Sequence, residues 1–152
     1  MRALIQRVNS ASVRVDDQLV GQIGKGLLVL LAVEADDDSQ SVEKMAAKLL
    51  DYRVFNDHNN KMNLSVTDIA GELLVVSQFT LAANTDKGLR PSFSSAAEPT
   101  LAKRLYLDCV AQLKASPLKV ETGQFAADMQ VALVNDGPVT FCLLYTSPSP
   151  RD

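Results

Sequence analysis

Tryptophan is absent from the 152 residues, histidine occurs once, cysteine twice, and aromatic side chains make up only 5%. Cys109 and Cys142 share no CxxC spacing, and the single His58 cannot complete a ligand set with them. Neither a disulfide framework nor a zinc centre is expected, and nothing calls for another metal or cofactor. No charge of one sign dominates either. Fifteen basic side chains against 18 acidic ones leave a net charge of −3, which argues against gripping nucleic acid through bulk counterion release. Any RNA partner must be held locally. Long apolar runs are missing too: the longest, Leu27 to Val33, has seven residues, against about 20 needed to cross a bilayer. Met1-Arg2 is followed by three apolar residues before Gln6-Arg7, which is not the pattern of a secretory signal. The expectation is a cytoplasmic protein with no membrane partner.

What is present is average in kind, with 47% hydrophobic and 22% charged residues. At this length one folded domain is expected. Residues 3–8 and 12–15 read as strands, and turns at Asp16-Asp17 and Gly24-Lys25-Gly26 continue an antiparallel meander through Leu19-Ile23 and Leu27-Glu34. Leu27 to Val33 lacks polar alternation, as in a strand covered on both faces, so helices are expected to cover the sheet. Val42, Met45, Ala46, Leu49 and Leu50 share a helical face behind Asp36-Asp37-Asp38-Ser39, and that acidic run reads as the cap. A second helix runs from Pro99 through Leu101, Leu105, Cys109 and Leu113 to Ser116-Pro117. Between the helices lie the loop Asn56 to Asn60, a strand from Leu73 to about Leu81, and a polar loop from Asn84 to Ser92. Residues 1–144 form the domain. The stretch 145–152, rich in proline and serine, is expected to be a non-native or disordered tail.

Chemistry could reside in four places. Ser77-Gln78-Phe79-Thr80 interrupts an apolar strand, and period two sets Ser77, Phe79 and Leu81 on one face and Gln78 and Thr80 on the other. The ordinary reading is a strand end whose hydroxyls bond nearby backbone. A nucleophile would need a base, and His58 has no sequence tie to this strand. Cys109, on the apolar face of a helix, reads as core filler. Asp136-Gly137 between two apolar strands predicts a tight hairpin, yet Pro138 removes a donor where the returning strand should pair. An edge proline and a backbone projection that offers carbonyls to a ligand both remain open. Lys87 with Arg90-Pro91-Ser92-Phe93 makes a small basic and aromatic cluster suited to solvent or to a phosphate or base.

Taken together, Arg2 to Val8, Gly26 to Leu31, Lys61-Met62-Asn63-Leu64, Val76 to Ala82, Arg90 to Phe93, Phe125 to Met129 and Asn135 to Thr140 closely resemble the D-aminoacyl-tRNA deacylases. The resemblance implies a homodimer of single α/β domains, each a curved, mostly antiparallel sheet or barrel covered by two main helices. It implies hydrolysis of the ester between a D-amino acid and the 3′ CCA end of tRNA, with mischarged glycyl-tRNA also accepted. By the same resemblance Ser77, Gln78, Phe79 and Thr80 are the catalytic segment. Gly137, Pro138, Val139, Met129, Leu81, Ala82 and Arg7 bind substrate and select its chirality, with a cis Gly137-Pro138 bond entering the other subunit's pocket and Arg7 orienting it. A noncatalytic module that binds RNA ends is the alternative, and a general esterase using Ser77 or Thr80 is a third.

Overall fold

The computed structural model describes residues 1–145. Its backbone is one long strand and what pairs with it. β1 (Arg2–Val15) is a single strand where the sequence suggests two, and along one edge it meets β2 (Gln18–Ile23) and β3 (Gly26–Ala32), both antiparallel. The chain then crosses over through α1 (Ser39–Asp51) and a small hairpin, β4 (Phe55–Asn56) and β5 (Met62–Leu64), to β6 (Glu72–Ser77). β6 lies parallel to β3, and a second crossover through α2 (Pro99–Lys114) sets β7 (Val120–Thr122) parallel to β6. The last strand, β8 (Gln130–Leu144), runs antiparallel along the other edge of β1. The sheet is therefore mixed, because each helix between strands forces a parallel return.

Burial on both faces of β3 has a cause different from the one the sequence suggests. Leu27, Val29 and Leu31 face α1 and α2 together with Leu73 and Val75. The alternate residues Leu28, Leu74 and Val76 face Val8, Ala11, Val13 and Ile23, inside the curl of the sheet. Helices cover one face only, and the other is enclosed by the sheet itself. Closure needs Gly21: a Cβ there would stand 2.6 Å from the Thr122 carbonyl oxygen, so glycine lets β2 lie against β7.

Of the aspartate run before α1, only Asp38 caps the helix, in a reciprocal capping box with Ser41. Asp37 is buried and accepts from the Met1 ammonium at 2.8 Å and from the Glu34 N–H at 2.7 Å. Tyr145, assigned to the tail in the sequence reading, donates its N–H to the Met1 carbonyl and packs against the core. The remainder of that tail lies outside the described residues.

Candidate functional site

β6 ends at Ser77, and there the period-two reading fails. The Gln78 N–H still bonds the Leu31 carbonyl at 2.8 Å, but Phe79–Ala82 wind into a short 3-10 helix rather than extending the strand to Leu81. The polar residues are thus not inside a buried element. Ser77 and Leu81 are half-buried, Ala82 is buried, and Gln78, Phe79 and Thr80 are exposed. Within the turn the Leu81 N–H bonds the Gln78 carbonyl. The Phe79 and Thr80 amides, first in the helix, have no carbonyl a turn behind them. The Thr80 hydroxyl accepts from the Gln78 amide at 3.2 Å, and no histidine or carboxylate bonds Ser77 or Thr80 among the described residues. His58 is exposed in the loop between β4 and β5.

Phe79, 59% exposed, meets the ring of Phe93 with centroids 5.2 Å apart. The polar loop makes this contact possible. Asn84 and Ser92 exchange backbone hydrogen bonds at 2.7 and 2.9 Å, closing the loop so that Phe93 returns to the turn while Lys87 and Arg90 stay exposed. β6 is pinned from the helix side two residues before Ser77. Tyr106 of α2 donates its hydroxyl to the Val75 carbonyl, and burial, with Cys109 nearby, pushes its phenol up to about 12. Burial likewise raises the Cys109 thiol to about 12, so it stays protonated and inert. Met129 packs on the inner core beside Val76, its sulfur fitting where Gly123 has no side chain. Met129 and the Ser77–Ala82 segment therefore share one end of the barrel.

The Asp136-Gly137 hairpin does not form. β8 continues through it: Asn135 pairs with Val8 and Thr140 with Gln6, so Asp136, Gly137, Pro138 and Val139 stand opposite Arg7 alone. The four residues bulge out of a ladder that resumes on both sides of them. The Gly137-Pro138 bond is cis, and both residues are exposed. Gly137, with φ +140, has a conformation that leaves no room for a side chain, since a Cβ would meet Val139 and Arg7. Arg7 supports the bulge from below. Its Nε donates to the Asp136 carbonyl at 2.9 Å and its Nη1 to the Val54 carbonyl at 2.8 Å, with Asn56 Oδ1 at 3.4 Å and the Asp136 carboxylate at 3.5 Å. Sequence reasoning missed Val54, Asn56 and Asn135. Only Asn135 carried a signal, as the residue that opens the Gly-Pro motif.

Met129, Leu81 and Ala82 lie with the Ser77–Thr80 turn, whereas Gly137, Pro138, Val139 and Arg7 lie apart from it on the sheet. Ser77 is level with Ala3 through Leu31, whereas the bulge is level with Arg7, four residues along and three strands across. At ordinary strand dimensions that is on the order of 15–20 Å measured along the sheet. A groove of about 500 Å³ between β2 and β7 is lined by Leu19, Val20, Ile23, Lys119 and Glu121, and no candidate residue borders it. Among the described residues no three His, Cys, Asp or Glu side chains gather as a metal site, and no helix is long and apolar enough to cross a membrane.

Comparison with known proteins gives consistent matches. Residues 4–144 match the family model described as D-Tyr-tRNA(Tyr) deacylase. A D-aminoacyl-tRNA deacylase of Pseudoalteromonas translucida is 63% identical over 94% of this chain and 99% of its own, and one of Histophilus somni is 61% identical over the same shares. Among solved structures, a c-Myc DNA unwinding element binding protein superposes with a TM-score of 0.92 at 39% identity, covering 97% of this chain and all of that one. A probable eukaryotic D-amino acid tRNA deacylase shares the fold with a TM-score of 0.81 at 16% identity, over 93% of this chain and 97% of its own.

Proposed function

Because this chain belongs to the D-Tyr-tRNA(Tyr) deacylase family, we propose that it cleaves the ester between a D-amino acid and the terminal ribose of tRNA, and that two copies build each site. The observation that carries the second part is the separation just described. The exposed Ser77–Thr80 turn and the exposed Gly137-Pro138 bulge lie too far apart on one protomer to enclose a ligand, so a second copy must bring them face to face. The free edge of β8 supports this arrangement, since it pairs only with β1 among the described residues and exposes Val131, Val134, Phe141 and Leu144.

In the assembled site the bulge of one protomer covers the turn of the other. Its fixed carbonyls test the substrate's α-carbon without reading the side chain. An L-residue drives its side chain into rigid backbone, and a clash of about 3 kcal/mol rejects it about 10²-fold. Glycine, having no side chain, passes. Because Thr80 has no base beside it, water attacks the ester carbonyl with the vicinal 2′-hydroxyl of the terminal ribose as the activating group. The carbonyl carbon's bond to the ribose oxygen breaks, the proton goes to that oxygen, and the amides of Phe79 and Thr80 receive the transient oxyanion. Free D-amino acid and tRNA leave. Lys87, Arg90 and the Phe79–Phe93 pair suit the unpaired CCA end, where local stacking replaces a broad basic surface.

Incubation with D-tyrosyl-tRNA and L-tyrosyl-tRNA separately tests the reading: only the D form should be lost. Retention of both with tight binding would favour a noncatalytic RNA-end module, the reading that a baseless Thr80 also suits. Thr80→Ala should keep substantial activity while a substrate ending in 2′-deoxyadenosine is nearly inert, and the reverse pair of results would make Thr80 the nucleophile.

A further inference from the structure

From the hydrogen bonds that close the bulge we infer that Asn135 and Thr140 form a latch, and that Asn135 is a positioning residue for chiral selection. The inference rests on the reading above and adds residues it does not use. Asn135 and Thr140 are the last ladder residues before and after the bulge, paired to Val8 and Gln6 across β1. Five positions apart in sequence, they are brought side by side because four residues are extruded between them.

The Asn135 carboxamide then uses both its ends. Its Oδ1 accepts the Val139 N–H at 2.7 Å, and its Nδ2 donates to the Thr140 hydroxyl at 2.9 Å. The first bond takes up a backbone donor at the returning arm of the bulge, and the second ties the two arms together. Arg7 grips the outgoing arm at the Asp136 carbonyl. Gly137 and Pro138 are thus held from two directions by side chains that themselves stay back from the tip. A short amide supplies the acceptor and the donor used here at position 135. Aspartate can keep the Val139 bond and holds Thr140 only if that hydroxyl turns to donate, whereas leucine of similar size offers neither bond.

A projection that discriminates by shape is only as selective as it is rigid, because an L-substrate can be admitted if the carbonyls give way. Loosening the latch should therefore degrade selectivity more than affinity. The test is steady-state hydrolysis of D- and L-tyrosyl-tRNA by Asn135→Ala, Asn135→Asp, Thr140→Val and Thr140→Ser, beside melting temperature and sedimentation. With both bonds lost, Asn135→Ala should lower the D-over-L ratio of kcat/KM about tenfold or more, and Thr140→Val, losing one, about threefold to fivefold. The change should appear chiefly as a rise in kcat/KM for the L substrate, with KM for the D substrate little changed. Thr140→Ser, which keeps the hydroxyl, should restore the ratio. A merely structural role would lower melting temperature and leave the ratio of the folded fraction intact, and that outcome overturns the inference. Should Asn135→Ala fail to fold, Thr140→Val carries the same two outcomes, since its side chain is exposed. If the unaltered protein releases neither substrate, it is the parent reading that fails. If it is D-selective and both latch variants stay equally selective, the latch alone is wrong.

Discussion

Arg7 is a cation only 8% exposed whose partners are two backbone carbonyls, one amide oxygen and one carboxylate. Buried carbonyls left without a donor are costly, so Arg7→Ala should destabilise the fold by about 2–3 kcal/mol in denaturant unfolding. Arg7→Lys should recover little of it, because an ammonium cannot present the forked donors that reach Asp136 and Val54 together. The residue illustrates what a sequence withholds. Resemblance singles out Arg7, but Val54 acts through its carbonyl, which every residue possesses, and no pattern marks that acceptor. Asn56 sits in a stretch that spells only a polar loop. Cys109 was the opposite case, since a thiol on the apolar side of a helix already implied the inert group that burial makes it.

At the scale of elements, the hairpin of β4 and β5 matters because it delivers Val54 and Asn56 to Arg7. Its turn is organised by Asp57, whose carboxylate accepts from the Asn59 and Lys61 N–H groups and the Asn63 amide. These bonds, the Asn63 amide first, hold its carboxyl below 3.8. A depressed folded value means that the contribution is complete above the unfolded value and is lost as pH falls through the lower folded one. On acid titration the amide resonances of Asn59 and Lys61 should therefore move together below pH 3.8, and should stay put in Asp57→Asn. Barrel closure offers a second check. Gly21→Val sets a branched side chain against the Thr122 carbonyl and should cost about 1–3 kcal/mol by thermal or denaturant melting. Both helices, the early strands and the doubly buried β3 were legible from periodicity and caps. The end of β6 was not, since Phe79 and Thr80 favour strands locally, whereas in the fold the chain leaves the sheet after Gln78 and the Phe79 ring packs on the distant Phe93. The Asp-Gly signal at 136 misled for a related reason. It reports local turn preference, whereas the partner of β8 is β1, more than a hundred residues earlier.

For the whole molecule, the proposed division of the site between two subunits predicts how damaged copies behave on mixing. Gly137→Ala spoils the bulge, and Thr80→Trp obstructs the turn. Each homodimer should be inactive. After the two are unfolded and refolded together, half the dimers are mixed and each has one sound site, so about a quarter of normal activity should return. Activity that stays absent after sedimentation shows mixed dimers would place the site within a single chain. The acidic balance bears on this scale too, and binding to tRNA should weaken only moderately between low and physiological salt. The proposed sharing of the site came from resemblance alone, and the separation of turn from bulge was not legible, because it is a property of register and register is set by pairings that no short window contains.

The bulge occupies the larger of two register shifts in the β1–β8 ladder, the other falling between Val8 and Ser10, with Asn135 and Thr140 at its feet. Whatever is threaded between those two residues leaves every other pairing of β8 with β1 in phase. The projection is thus carried without renumbering the contacts that keep the barrel shut, and what the tip presents outward is set apart from what holds the seam together.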